Sequence, residues 1–262
     1  RLQLSEILKP FLAVSLASFL VRKPNYSFSG LFEILFFMMV ISMLIFLQPD
    51  LGSAIIYIFV TILTLIYFGY SLRFFATGLV FLGIIAPLIW RFLRDYQRER
   101  ILTFINPTKD PLGTSYNAIQ SIIAVGSGML WGKGLGQGTQ SGLSFLPERH
   151  TDFIFATISE QLGFVGALII IGAFVFLLYR IYKLMVYSDD QFCRVFCAIA
   201  FFIILVQFFV NVGMNIGILP VVGVTLPFVS YGGSSLLSNF ILLGLLSSVT
   251  KGERRTEALE IR

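Results

Sequence analysis

Seven apolar stretches run through this chain, and each must be buried in hydrocarbon or against other helices, so they restrict the fold more than any motif does. They extend from Ile7 to Val21, Leu31 to Leu47, Leu51 to Tyr70, Phe74 to Trp90, Phe153 to Tyr179, Cys193 to Leu219 and Leu236 to Val249. A membrane crossing needs about 20 predominantly apolar residues. Hydrophobic residues make up 56% of the chain and charged residues 13%, with a mean hydropathy of +0.87. That balance lies outside the range of soluble domains. The expected fold class is all-α, a polytopic helical membrane protein with about seven transmembrane helices. The first stretch is short and the fifth and sixth are long, which predicts tilt or buried ends. No repeat or linker divides the chain, so residues 1–262 are expected to form a single transmembrane domain.

The short connections orient it. Arg22 and Lys23, Arg73, Arg180 and Lys183 with Arg194 beyond, and Lys251, Arg254 and Arg255 all fall on one side. That side is predicted to be cytoplasmic, with the carboxyl terminus there. The segment from Arg91 to Thr151 then lies outside, and its length of roughly 60 residues is near the limit beyond which charge stops deciding translocation. An odd number of spans puts the amino terminus outside as well. With Arg1 in place of Met and no signal peptide, the expectation is a chain lacking upstream helices. The formal charge of +5 is scattered between spans instead of massed on a face, which argues against nucleic acid as a partner. Cys193 and Cys197, a helical turn apart in an apolar stretch, are expected to be packing residues.

The outer segment has several parts. From Arg91 to Arg100 charges alternate with aromatic and aliphatic residues, as at a helix end leaving the bilayer, where snorkelling is the plain reading. A sharper one gives Arg98 and Arg100 an anionic diphosphate, which guanidinium forks suit. Asn106 to Gly113 is dense in turn residues. Tyr116 to Val125, carrying Gln120 and Ser121, is too short to span and predicts an interfacial or re-entrant helix. Gly126, Gly128, Gly132, Gly134, Gly136 and Gly138 follow, with Lys133 among them. Lys133 is followed by glycine, not Ser or Thr, so this is no nucleotide-binding loop. Its amides remain able to cradle an anion, against the alternative of a structural loop.

Leu146 to Phe155 reads Leu-Pro-Glu-Arg-His-Thr-Asp-Phe-Ile-Phe. Ionisable groups driven into the start of an apolar helix are costly, so Asp152 is a functional candidate. Helix capping is the competing explanation for Asp152, Thr151 and Glu148. His150, the only histidine, either meets substrate or orders the loop. Glu160 reads as a packing or gating polar group, and Asp50 as a cap.

The chain resembles the SEDS family (shape, elongation, division and sporulation) of RodA and FtsW. The resemblance is carried by Gln48-Pro49-Asp50-Leu51-Gly52, Asn106 to Gly113, Gln120-Ser121 with Gly126-Ser127-Gly128, Gly132-Lys133-Gly134, Leu146 to Phe155, Glu160 with Leu162-Gly163, and Leu219-Pro220 through Leu226-Pro227 to Ser230-Tyr231-Gly232-Gly233-Ser234-Ser235. Leu4 stands where the family usually has proline, and Gln161 where a second glutamate is common. Gly138 to Ser141 and Arg149 look more like RodA than FtsW. The family has ten helices, and Gln3-Leu4-Ser5-Glu6 with Lys9 looks like the start of the fourth.

The resemblance implies a peptidoglycan glycosyltransferase for elongation and shape, in the bacterial cytoplasmic membrane, with its site on the extracytoplasmic face. Its substrates would be lipid II and an undecaprenyl-diphosphate-linked glycan, and its partner a class B penicillin-binding protein. Asp152 matches the family's essential aspartate and would act as general base on the acceptor 4-hydroxyl. Lys9, Arg98, Arg100 and Lys133 would stabilise the diphosphate or, for Lys9, neutralise Asp152. Gln120, Ser121, Glu148, His150 and Thr151 would support substrate. A divalent cation, Mg or Mn, is expected and an organic cofactor is not. A lipid II flippase and a non-enzymatic scaffold for the transpeptidase are the alternatives.

Overall fold

A computed structural model describes residues 3–22, 28–47, 50–107, 113, 115–142 and 145–260. It is all-helical across those residues: α1 (Leu4–Arg22), α2 (Phe28–Leu47), α3 (Leu51–Phe68), α4 (Leu72–Phe92), α5 (Asp95–Ile105), α6 (Tyr116–Ser127), α7 (Thr139–Gly142), α8 (Ile154–Tyr187), α9 (Gln191–Asn215) and α10 (Gly233–Glu260). Helices α1, α4, α8, α9 and the Gly233–Thr250 part of α10 are long and apolar enough to cross a membrane, and α2 and α3 contain the shorter apolar segments Gly30–Ile45 and Gly52–Phe68. These match the seven expected spans. Several boundaries differ, and the last helix runs on to Glu260 where Val249 was expected. The fifth span continues to Tyr187, and the sixth ends at Asn215, where the expectation ran on to Leu219. Glycine at position 217, with φ 78°, is a physical reason for the earlier stop. Much of the predicted Asn106–Gly113 turn lies outside the described residues, as do Lys23 and Gln48-Pro49.

The chain forms two compact units. The first comprises Arg1–Tyr70, Phe174–Gln207 and Gly232–Arg262. Here α1 packs on α10 and α2, and α2 on α3. The face that α1 buries follows helical spacing through Ser5, Lys9, Leu12, Leu16 and Leu20. Pro10, inside this helix, cannot donate to the carbonyl of Glu6. That carbonyl instead accepts the Ser238 hydroxyl of α10 at 2.7 Å, so a break in the ladder becomes an interhelical bond. Asp50 caps α3 by accepting Ser53 N–H at 3.0 Å, and it also accepts Ser5 Oγ at 2.5 Å and Gln3 Nε2 at 2.7 Å. Burial raises its carboxyl, but these donors outweigh it and hold the group below the usual carboxylate range.

The second unit comprises Ser71–Ala173 and Phe208–Tyr231. It contains α4, none of whose residues is buried, along with α5, α6, α7, the first part of α8 and the end of α9. The segment from Arg91 to Arg100, expected to be a helix end leaving the bilayer, is a break followed by the separate helix α5. The interfacial helix expected from Tyr116 is α6.

Candidate active site

Asp152 sits in a turn just before α8, and main-chain bonds from several elements of the second unit fix that turn. Thr151 N–H donates to the carbonyl of Glu148 at 3.1 Å, closing the bend. Glu148 itself has φ 52°, a left-handed conformation uncommon outside glycine. The Thr151 hydroxyl donates to the Glu148 carboxylate at 2.9 Å. The turn is then tied to the segment after α9. Tyr231 N–H donates to the His150 carbonyl at 2.8 Å, and the Ser230 hydroxyl to the Thr151 carbonyl at 2.6 Å.

The carbonyl of Asp152 is held from α9. Asn211 Nδ2 donates to it at 2.9 Å and Asn215 Nδ2 at 3.0 Å. Both asparagines are fully buried, and their spacing of four residues stacks them on one helical face. Asn215 does more. Its Oδ1 accepts Ala156 N–H at 3.1 Å, satisfying one of the unpaired amides of a helix start, and it accepts the Ser121 hydroxyl at 3.3 Å. Asn211 Nδ2 also reaches the Val224 carbonyl at 2.7 Å. A Cβ built on Gly223, whose φ is 74°, would stand 3.4 Å from Asp152 Oδ2. The loop backbone therefore passes close against the carboxylate.

On the same loop, Val222 O accepts Arg100 Nη1 at 3.3 Å, and the guanidinium lies 5.8 Å from the Tyr96 ring centroid. Arg100, Tyr96, Glu99, Asn117, Met214 and Leu219 help to line a cavity of about 300 Å³. Polar groups line part of it and aliphatic ones another part.

A second acid lies deeper in α8. Glu160 is fully buried and accepts Gln140 N–H at 2.9 Å and Ser141 N–H at 2.8 Å, both from α7. Lys133 Nζ approaches it at 3.2 Å. The glycine run explains how the loop comes so close. Added Cβ atoms would meet Ser159 O at 1.9 Å from Gly128 and Gln161 O at 2.1 Å from Gly132. Inside α8, Gly163 leaves helical geometry at φ 68°, ψ −161°. The freed Phe164 and Val165 amides donate to Met129 O at 2.8 Å and Leu130 O at 3.2 Å.

The family model described as "Cell cycle protein", for FtsW, RodA and SpoVE, matches residues 1–255. The chain belongs to this family. It is 43% identical over 253 residues to the peptidoglycan glycosyltransferase MrdB of Escherichia coli (strain K12), covering 95% of this chain and 68% of that protein. With the probable peptidoglycan glycosyltransferase FtsW of Nitrosomonas europaea it shares 36% over 250 residues, covering 93% and 64%. The chain thus spans about two thirds of the length of these relatives. Among solved structures, one titled "Structural coordination of polymerization and crosslinking by a peptidoglycan synthase complex" superposes with a TM-score of 0.80 at 31% identity, covering 96% of this chain and 70% of that chain. Thermus thermophilus rod shape determining protein RodA gives a TM-score of 0.66 at 27% identity, covering 96% and 66%.

For a FtsW/RodA/SpoVE family member, the structure distributes the sequence candidates unevenly. Asp152, Glu148, His150 and Thr151 share one turn. Arg149, marked in the sequence only as RodA-like, donates from Nε to His150 Nε2 at 3.2 Å and from Nη1 to the Ser141 carbonyl. Arg100 lines the cavity. Arg98 is occupied with α4, its Nε and Nη2 each 3.0 Å from the carbonyls of Trp90 and Arg91. Ser121 is buried on Asn215, donating to its carbonyl at 3.0 Å. Gln120 Oε1 is buried without a hydrogen-bond partner. Lys133 serves Glu160. Lys9 pairs with Glu6, its neighbour on α1, at 2.6 Å in the first unit. Among the described residues, no three His, Cys, Asp or Glu side chains cluster to hold a metal ion. Those described residues offer no all-protein site for Mg or Mn.

Proposed function

We propose that this chain is the larger part of a peptidoglycan glycosyltransferase that polymerises lipid II at the outer face of the bacterial cytoplasmic membrane, with Asp152 as its general base. Residues 1–262 act as one SEDS-type transmembrane domain, with an extracytoplasmic segment at about 91–152 and a cytoplasmic carboxyl terminus. The observation that supports the base assignment best is the double amide clamp. Asn211 and Asn215 fix the Asp152 carbonyl, which sets the backbone that carries its carboxylate, beside Gly223.

The acceptor is the 4-hydroxyl of an N-acetylglucosamine on lipid II, a weak nucleophile. As its oxygen bonds to the donor anomeric carbon, its proton passes to the Asp152 carboxylate, and the bond to undecaprenyl diphosphate breaks with both electrons leaving on phosphate oxygen. A single displacement inverts the donor's α linkage to β. The leaving diphosphate needs fixed positive charge. Of the four cations considered, Arg100 is the one that lines the cavity, and its guanidinium retains N–H donors beyond the one given to Val222. Arg100 takes this role, and no step is routed through a metal. The class B penicillin-binding protein would crosslink the product.

The test is polymerisation of purified lipid II by the full-length protein with its transpeptidase partner. Asp152→Ala should abolish glycan while the protein still inserts and folds. Undiminished polymerisation would remove the base assignment. Lipid II crossing the bilayer with no polymer from either protein would mark a carrier instead.

A further inference from the structure

The loop between α6 and α7 presents a set of apolar side chains that the active-site chemistry does not use. Met129 is 82% exposed, Trp131 80% and Leu135 75%, with Leu130 exposed beside them. This is a rigid display. Lys133 N–H and Gly134 N–H donate to the carbonyls of Glu160 and Gln161, each at 3.0 Å, while Met129 and Leu130 accept the amides freed by Gly163. Met129 is held at φ 48°, a left-handed conformation that a non-glycine residue seldom adopts. A strained backbone that turns large apolar groups outward calls for something to cover them.

We propose that this loop is a re-entrant anchor seated in the outer leaflet at the boundary between headgroups and hydrocarbon. Level is the first argument. The loop grips α8 between Glu160 and Val165, on either side of the break at Gly163. The part of α8 beyond that break, from Phe164 to Tyr187, is by itself long enough to fill the hydrocarbon, which takes roughly 20 residues. The turns before the break are then free to stand in the headgroup layer, and the loop meets the helix near the apolar border, where tryptophan is favoured. Continuity is the second. Phe164, Leu168 and Ile169 are exposed on α8 just beyond the grip, extending the same apolar surface into the bilayer. Charge is the third, because Lys133, the one ionisable residue from Met129 to Leu135, is folded back onto buried Glu160. The anchor would fix the depth of α8 and, through it, of the turn that carries Asp152. It stands whether or not Asp152 is the base.

The test is fluorescence of the full-length protein in vesicles of phosphatidylethanolamine and phosphatidylglycerol, taking the emission lost in Trp131→Phe as the Trp131 component. Lipids brominated near the top of the acyl chain should remove most of that component, and aqueous iodide should remove little. Leu135→Trp in the Trp131→Phe background gives a second reporter, expected to behave alike. Quenching by iodide and not by bromolipid would overturn the proposal. So would protection from both quenchers that appears only when the transpeptidase is added or the protein self-associates, which would make the loop a protein-docking surface.

Discussion

Asp152, in the turn before α8, and Glu160, within the second turn of that helix, are two carboxylates on one short segment, but the protein surrounds them with different chemistry. The Glu160 carboxylate is spent on structure, accepting two amides of α7 and facing Lys133. At Asp152 the structural bonds from Asn211 and Asn215 fall on the main-chain carbonyl. At Glu160 the group fixed from neighbouring elements is the carboxylate, and at Asp152 the amides of α9 fix the backbone that carries it. Burial of an ionisable group does not make that distinction.

The contrast breaks most sharply at Asp152 itself. Asp152→Asn keeps the carbonyl and the shape, so glycan synthesis should fall by about 100-fold to 10,000-fold, the range expected for a general base, with the thermal midpoint in detergent little changed. A fall in stability instead would put Asp152 in the same class as Glu160. Glu160→Ala should do the reverse. It strands the amides of Gln140 and Ser141, at about 1–3 kcal/mol for each buried group, and differential scanning fluorimetry should show a large drop in midpoint. Glu160→Gln, which keeps an acceptor, should lose less.

Asn215→Ala probes the clamp. Losing one of two donors to the Asp152 carbonyl should lower kcat about tenfold, or about 1.4 kcal/mol of barrier, with KM for lipid II unchanged; a raised KM with normal kcat would contradict a positioning role. Lys133→Gln is the mildest. Its side chain is 30% exposed, and pairs open to solvent contribute about 0–1 kcal/mol. Steady-state kinetics should show KM unmoved, whereas a rise would assign Lys133 to the substrate diphosphate.

The sequence showed the helices and the Asp152 cluster because both are local signals: apolar runs of membrane length, and ionisable residues where they are expensive. The clamp was invisible for a physical reason. Asn211 and Asn215 interrupt an apolar span four residues apart, a pattern worth noticing, but what they hold is a backbone carbonyl 59 residues away in sequence from Asn211, and every residue has one of those. Lys9 adds a local case. A lysine in an apolar helix demands an acid, and Glu6, one turn before it on the same face, supplies one. The glycine run invited an anion for its amides. The structure supplies instead the carbonyls of Glu160 and Gln161 and close backbone contact with α8.

The departure from helical geometry at Gly163 has a consequence for how this protein is made. A newly inserted α8 would carry unpaired amides at Phe164 and Val165 into the membrane, where each unsatisfied group is costly. The carbonyls that relieve them belong to Met129 and Leu130, which leave the ribosome more than thirty residues earlier. Synthesis thus delivers the template before the helix that needs it. A variant that moved this loop behind α8 in chain order, by circular permutation, would have to insert the broken helix unaided.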